Sequence, residues 1–315
     1  MQSTLKNGLK NGLQTTWTLG KVIFPITLIV TILQFTPILP MIINWIEPLM
    51  GLIGLSGEAA VPLVLANVLN LYAGIGAIVS FDFTIKEVFI MAMMMSFSHN
   101  LFIESAVAAK VGVKFWVIVA VRLSLAIISA IIINLVWSGG QALAQYGLVP
   151  KDGPEPSGWI EIGFTGLETA FFGVVQLAII VIPLMIVMQW LRDNQWLDWL
   201  SNKIAPFTRL IGVQSNASMT LVAGLTVGLA FGAGLMIQAA KEDNVSKKDM
   251  YLVLIFLVAC HAVVEDTLIF IPLGIPVWPL LVIRFISALI LTMIVAYIWN
   301  RRERRRNFVK EAVAK

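Results

Sequence analysis

This chain of 315 residues is almost empty of thiol and imidazole chemistry: it has one cysteine, Cys260, and two histidines, His99 and His261. A single cysteine excludes an intramolecular disulfide and any cysteine-rich metal cluster. Charge is scarce too. Lys, Arg, Asp and Glu together make up 13% of the residues, against about 25% in soluble domains. No His-Glu-x-x-His pattern occurs, and no Ser or Cys nucleophile stands beside a base in a recognisable motif, so neither an enzyme nor a bound cofactor is expected.

What the chain has instead is apolar length. Hydrophobic residues reach 58%, and apolar runs of about 20 residues, the length that crosses a bilayer, recur throughout. The expected class is therefore an all-α polytopic membrane protein. The first run, Val22 to Leu39, follows a polar lead with no small-residue cleavage site, so it is expected to be retained as a span. In that lead, residues 1–20, Leu5, Leu9, Leu13 and Trp17 fall four apart beside Lys6 and Lys10, which predicts a short helix lying on a membrane surface. Arg301, Arg302, Arg304, Arg305 and Arg306 begin a basic tail, 301–315, directly after the last apolar run. In that position they orient the chain toward the cytoplasm and meet lipid headgroups; they are not a nucleic-acid site.

The second half repeats the first. His99, Glu104, Trp116, Arg122 and Trp137 recur 162 residues later as His261, Asp266, Trp278, Arg284 and Trp299. Leu52-Ile53-Gly54, Leu63-Val64, Leu71, Gly74 and Gly76 recur 158 residues later as Leu210-Ile211-Gly212, Leu221-Val222, Leu229, Gly232 and Gly234. Polar residues around Lys241 to Asn244 account for the change of offset. Repeated halves in a membrane protein place a substrate site between them near the bilayer midplane, the arrangement of a transporter. The repeats are expected at 21–137 and 167–300, joined by a polar linker at 138–166 that carries Asp152, Glu155, Glu161, Pro150, Pro154 and Pro156.

Each repeat offers four apolar segments: 22–39, 58–80, 88–109 and 115–137, then 168–190, 216–238, 250–272 and 278–299. If all eight cross, the repeats are parallel; if the second of each four is a re-entrant hairpin, three cross and the repeats are inverted. With the N-terminus inside and the in-span Arg122 and Arg284 set aside, the inverted arrangement leaves only Lys86 and Lys151 outside. The parallel one strands Lys110, Lys114, Arg192, Lys203 and Arg209 there, so the charge rule favours inversion. It also makes the linker external and both termini cytoplasmic, in an inner membrane. Asn67 and Asn70 at the middle of 58–80, and Thr226 among Gly224, Gly228, Gly232 and Gly234, suit hairpin tips lining a cavity. The competing reading is a Gly-rich crossing helix packed closely on its neighbours. Trp196-Leu197-Asp198-Trp199-Leu200, followed by Lys203 and Pro206, suits an interfacial helix ahead of the second hairpin. Each repeat thus comprises three spanning helices, one re-entrant hairpin and an interfacial helix.

The chemistry lies mid-span. His99, Asn100, Glu104 and Ser105 are matched by His261, Glu265, Asp266 and Thr267. A carboxylate at a helix centre costs about 2.5–3.5 kcal/mol to insert, so these acids imply function. At about 100° per residue, His99 and Glu104 point away from each other, as do His261 and Asp266. A shared ligand would require each helix to break, although no Gly or Pro marks a break in the first motif. Arg122 and Arg284 either contact an anionic substrate or pair with Glu104 and Asp266; duplication of acid and arginine together favours pairing. The histidines suit proton coupling. His99, His261, Glu104, Glu265 and Asp266 could alternatively hold a divalent ion.

At these residues the chain resembles the nucleoside-recognition, or Gate, domain membrane proteins, a family similar to the concentrative nucleoside transporters and to the membrane region of the ferrous-iron permeases. The resemblance covers most of 22–299. It implies inverted repeats in which hairpin tips (here Asn67, Asn70 and Thr226) and broken helices (here Asn100, Glu104, Glu265 and Asp266) enclose a polar ligand. The chain departs from the nucleoside transporters in its histidines, and from the iron permeases in lacking their cytoplasmic GTPase and cysteines. The expected function is a proton- or cation-coupled secondary transporter of a small polar solute, nucleoside-like in kind; the alternative is a divalent-metal permease. A subunit of a larger assembly is a third class. The expected partners are a small-molecule substrate or ion and the lipid bilayer, not nucleic acid; a homo-oligomer is compatible with the sequence.

The two topologies differ in the side on which the linker lies. In a Cys260→Ala background, a cysteine placed at Ser157 should react with a membrane-impermeant maleimide added to intact cells. Protection until the cells are opened would support eight crossings.

Overall fold

In a computed structural model the protein is helical throughout the residues described, namely 2–145, 156, 158–194, 196, 199, 203, 208, 211–229, 234, 236, 245–263 and 265–313. Most of the linker, the core of the Trp196–Leu200 stretch (Leu197, Asp198 and Leu200), Pro206 and most of residues 230–244, including Gly232 of the expected second hairpin, lie outside them. The helices are α1 (Gln2–Gln34), α2 (Ile38–Gly51), α3 (Ala60–Val68), α4 (Leu71–Ile78), α5 (Ile85–Ser98), α6 (Leu101–Lys110), α7 (Phe115–Val136) and α8 (Trp159–Asp193). They continue with α9 (Ser218–Val227), α10 (Lys247–Ala259), α11 (Glu265–Leu268) and α12 (Trp278–Val313). Among the described residues, five stretches are long and apolar enough to cross a membrane: Ser3–Gln34, Ile85–Lys110, Phe115–Val136, Trp159–Val187 and Trp278–Arg305. The all-α membrane class follows. The expected crossing at 250–272 is not one helix: α10 stops at Ala259 and is followed by α11 and a 3-10 turn, Ile271–Leu273.

Three boundaries differ from the sequence expectation. The lead at 1–20 is no separate surface helix but the first part of α1. The linker's last residues, from Trp159, already belong to α8, where Glu161 sits in the first turn and suits the positive end of the helix dipole. The basic tail continues α12 to Val313.

By contacts the chain divides into two compact units, each including a piece of the other repeat. Unit 1 is Met1–Phe102, Leu123–Asn194 and Glu265–Leu280; unit 2 is Ile103–Arg122, Gln195–Val264 and Leu281–Lys315.

In unit 1, α1 and α8 pack antiparallel along their length. A methyl group on Gly8 would lie 2.7 Å from the Ile186 Cα, one on Gly12 2.9 Å from the Ile182 Cα, and one on Gly20 3.2 Å from Val174. Each pair sums to the same register, as an antiparallel pair must. Seen from the other helix, Gly166 meets Leu28, and the pairs 8–186 and 166–28 interchange under the 158-residue offset. Pro25 and Pro183, one inside each helix, are also 158 apart. Three glycines would weaken an isolated helix by about 1 kcal/mol each relative to alanine. Here they let two backbones approach closely, which is how helices associate in lipid. That packing carries the lead into α1, while Leu5, Leu9, Leu13 and Trp17 stay exposed.

Also in unit 1, α3 and α4 form a tight helical hairpin. A methyl group on Gly74 would lie 2.9 Å from the Pro62 carbonyl oxygen, and Asn70 turns the chain between the two helices in an extended conformation. The segment 58–80 is therefore a helix-turn-helix and not one continuous helix.

Within each unit the same local devices recur. Gly54 and Gly212 adopt φ of 77° and 78°, and Asn100 and Ala262 adopt 51° and 42°. Thr84 and Ser246 cap α5 and α10 through the backbone amides of Glu87 and Asp249. Phe89 stacks on Trp137 in unit 1 and Tyr251 on Trp299 in unit 2.

The α1–α8 seam is tested by adding one methyl group. Gly8→Ala and Gly12→Ala should each destabilise the protein by about 1–3 kcal/mol in detergent unfolding measurements. Gly163→Ala and Gly173→Ala, where nothing lies within 4 Å of the new methyl, should not.

Candidate functional site

Helices α5 and α10 both end in the middle of an apolar run, and each leaves a histidine at its end. In unit 1, α5 stops at Ser98 and His99 has ψ of 154°. Asn100 follows in the left-handed region, which asparagine tolerates better than most residues. In unit 2, α10 stops at Ala259, Cys260 is extended, and Ala262 takes the left-handed turn. Breaking a helix in such surroundings frees backbone groups that lipid cannot satisfy. The neighbouring hairpin helix takes them up. Asn100 donates its amide to the Ala66 carbonyl of α3 at 2.8 Å, and Ala262 donates to the Gly224 carbonyl of α9 at 3.1 Å. Val263 donates to the Leu225 carbonyl at 2.8 Å. These contacts explain how helices without Gly or Pro at the break still break.

Both histidines are buried, and both are oriented by their own helix. His261 Nδ1 lies 2.8 Å from the Leu257 carbonyl oxygen, and His99 Nδ1 lies 2.7 Å from the Met95 carbonyl oxygen. A carbonyl only accepts, so Nδ1 carries the hydrogen in each ring. The remaining nitrogen, Nε2, therefore faces outward from its helix. In unit 2 it lies 3.3 Å from the Glu104 carboxylate, whose Oε2 also takes Arg122 Nη2 at 2.8 Å. In unit 1 His99 Nε2 lies 3.9 Å from the Asp266 carboxylate. Each histidine thus faces the acid of the other repeat.

A bare Nε2 and a bare carboxylate oxygen are both acceptors and repel at 3.3 Å. One proton between them, on the imidazole or on the acid, turns the contact into attraction. The His261–Glu104 contact lies beside the fixed positive charge of Arg122.

The arginines are fully buried. Arg122 pairs with Glu104, the partner expected from the repeat. Arg284 donates Nη2 to the His261 carbonyl at 2.7 Å, which satisfies an oxygen released by the break and anchors the residue that bears the imidazole. Asp266 sits beside His99 in unit 1.

The remaining candidates separate by what their side chains already do. Asn70 caps α4 by accepting from the Ala73 amide at 2.9 Å, and Thr226 donates to the Val222 carbonyl at 2.7 Å. Their local structure accounts for both. Asn67 Oδ1, Asn100 Oδ1, Ser105 Oγ and Thr267 Oγ1 are buried oxygens with no hydrogen-bond partner among the described residues. Each such group costs about 1–3 kcal/mol, a penalty that a polar ligand would relieve. Glu265 accepts from the Tyr72 hydroxyl in unit 1. Tyr72 escaped the sequence reading. The available signal was a phenol placed between Leu71 and Ala73, in the same apolar segment as Asn67 and Asn70.

Removing one member of a buried pair strands the other. Arg122→Met should destabilise the protein by about 3–5 kcal/mol, and Glu104→Gln combined with Arg122→Met should recover most of that, both read by thermal unfolding. Equal losses in the single and double variants would show that the pair does not govern stability.

Comparison with known proteins falls on these same segments. The sequence profile of the Gate family, described as nucleoside recognition, matches residues 16–115 and 174–276. The two matched stretches begin 158 residues apart, the offset of the repeat. The chain is also 59% identical over 301 residues, 96% of each chain, to the uncharacterized membrane protein YvoD of Bacillus subtilis (strain 168).

Proposed function

The chain belongs to the Gate, nucleoside-recognition family of membrane proteins, and from that premise we propose that it is a secondary transporter of a small polar solute, nucleoside-like in kind, driven by protons. The coarse class stands on the family and on the five apolar helices: a multi-pass, transporter-like membrane protein.

The observation that carries the coupling is the His261–Glu104 contact. A proton seat buried in an apolar protein, next to a permanent cation, is costly unless it is used. Loading and release of that proton changes the charge of the site by one unit, which alters how the site holds a polar solute. His99 and Asp266 supply a second, looser seat of the same design. In unit 1, Asn67, Asn100 and Thr267 offer oxygens, and Glu265 with Tyr72 an acid and a phenol, for hydrogen bonds to a polar solute; in unit 2, Ser105 offers one. Asn70 and Thr226 shape the hairpin ends, and Arg284 positions His261.

The repeats are inverted in this reading. The antiparallel pairing of α1 with α8, the first helix of each repeat, supports inversion, because parallel repeats would send both the same way across the bilayer. The α3–α4 hairpin supports three crossings and one re-entrant segment per repeat. With the arginine run of α12 on the positive side, both termini are cytoplasmic in a bacterial inner membrane.

A second reading treats a divalent metal ion as the cargo. It is favoured by the outward-facing Nε2 atoms opposite carboxylates, a donor set that suits such ions.

Reconstituted vesicles separate the readings. An imposed pH gradient should drive accumulation of labelled uridine or adenosine in the parent protein. Glu104→Gln and His261→Asn should lose that accumulation while retaining exchange of solute down its own gradient. Accumulation of labelled zinc or ferrous iron without nucleoside would favour the metal reading. Solute uptake indifferent to pH in the parent would defeat the proton one.

A further inference from the structure

Equivalent edges in the two repeats differ in what covers them. In unit 1 the residues leading into α5 are paired by a strap of chain from the start of the linker. Ile85 donates to the Ala142 carbonyl, Lys86 donates to the Gly140 carbonyl, and the Ala144 amide donates to the Phe83 carbonyl, all at 2.9 Å. Thr84 and Leu143 thereby form an antiparallel bridge. The strap satisfies the first two amides of α5, which have no partner inside a helix. Lys86 Nζ also donates to the Asn134 carbonyl at 3.1 Å.

Among the described residues, unit 2 builds the same edge without a strap. Ser246 and Asp249 reproduce the cap of Thr84 and Glu87, and the Gln214 amide lies 3.4 Å from Asp249 Oδ1 as the Ser56 amide lies 3.0 Å from Glu87 Oε1. Yet the amides of Lys247 and Lys248, equivalent to those of Ile85 and Lys86, have no acceptor among the described residues. Where the strap would run there is an open, polar pocket of about 650 Å³, lined by Gly212, Gln214, Asn216, Ser246, Lys248 and Asp249. Among the described residues nothing crosses this edge as the strap does in unit 1. After Trp299, the equivalent of Trp137, α12 continues as helix to Val313.

We propose that this groove of unit 2 is a docking site for an extended peptide segment of another, cytoplasmic protein, which adds to the 245–248 edge as residues 140–144 add to the 83–86 edge. Backbone pairing with an exposed edge is a recurrent mode of peptide recognition. The occupied copy within the same chain shows the chemistry of the ligand: an extended backbone with small residues, two carbonyls aimed at consecutive amides, and one amide returned. Charge indicates the flanks. The Tyr251–Trp299 ring contact sets the first turns of α10 beside the end of α12 that carries Arg301, Arg302, Arg304 and Arg305, all exposed. With Lys247 and Lys248 they favour an acidic partner, and a basic end lies in the cytoplasm. The groove is lined by none of the residues that the transport reading uses, so it would serve assembly or control, independently of that reading.

A synthetic peptide bearing residues 139–145 preceded by three glutamates, labelled with a fluorophore, tests this on the purified full chain in detergent. Saturable binding is expected. Lys247→Pro should weaken it roughly three- to tenfold, the loss of one backbone hydrogen bond. Proline at the first position of a helix keeps the fold and removes only the amide hydrogen. Gln214→Trp, which fills the groove from an exposed position, should also block the peptide with no change in thermal unfolding. Absence of saturable binding, or equal binding by parent and Lys247→Pro, would overturn the proposal. So would a parent dimer that the peptide dissociates, because the occupant would then be a second copy of this chain.

Discussion

Everything polar in this protein depends on one constraint: a helix can be opened in an apolar interior only where another backbone accepts what it releases. The hairpin helices supply those acceptors. Ala66 receives the Asn100 amide, and Gly224 and Leu225 receive those of Ala262 and Val263. Without these bonds each break would leave amides that lipid cannot satisfy, at several kcal/mol apiece. With them, the chain can turn at His99 and His261 and aim side chains in directions that a continuous helix forbids.

That turn decides the electrostatics. Because each imidazole fixes Nδ1 on a carbonyl of its own helix, only Nε2 is left to face a carboxylate. The protonation logic of the site thus follows from backbone geometry. Arg122 holds Glu104 beside His261. Arg284, by bonding the His261 carbonyl, ties the second break in place.

Repetition explains the economy of the structure, and departure from repetition shows where the halves are specialised. The glycine seam of α1 and α8 uses the same contact twice, once from each helix, so two long helices close together through small residues. The caps of α5 and α10 are likewise the same device built with Thr and Glu in one repeat and Ser and Asp in the other. Only the strap breaks the pattern, because the first repeat ends in a linker and the second in a helix that continues.

The sequence by itself determined the class of protein, the existence and offset of the repeat, the segments that carry polar residues and the need for broken helices. Each of these follows from composition, spacing or the 100° turn of a helix, which are local properties. The sequence did not show that α1 runs from Gln2 and α8 from Trp159, because the packing of Gly8, Gly12 and Gly20 against α8 is not a local property. It also passed over Tyr72, whose meaning lies in a hydroxyl that reaches Glu265, 193 residues away. Only the tertiary structure decided which acid each histidine faces, that Arg284 bonds the His261 carbonyl, and that Asn70, Thr226 and the Asn67 amide nitrogen are occupied by their own backbone while the side-chain oxygens of Asn67, Asn100, Ser105 and Thr267 have no partner among the described residues. The physical reason is that hydrogen-bond partners in a packed interior are chosen by distances of about 3 Å between chain segments far apart in sequence, which no periodicity encodes.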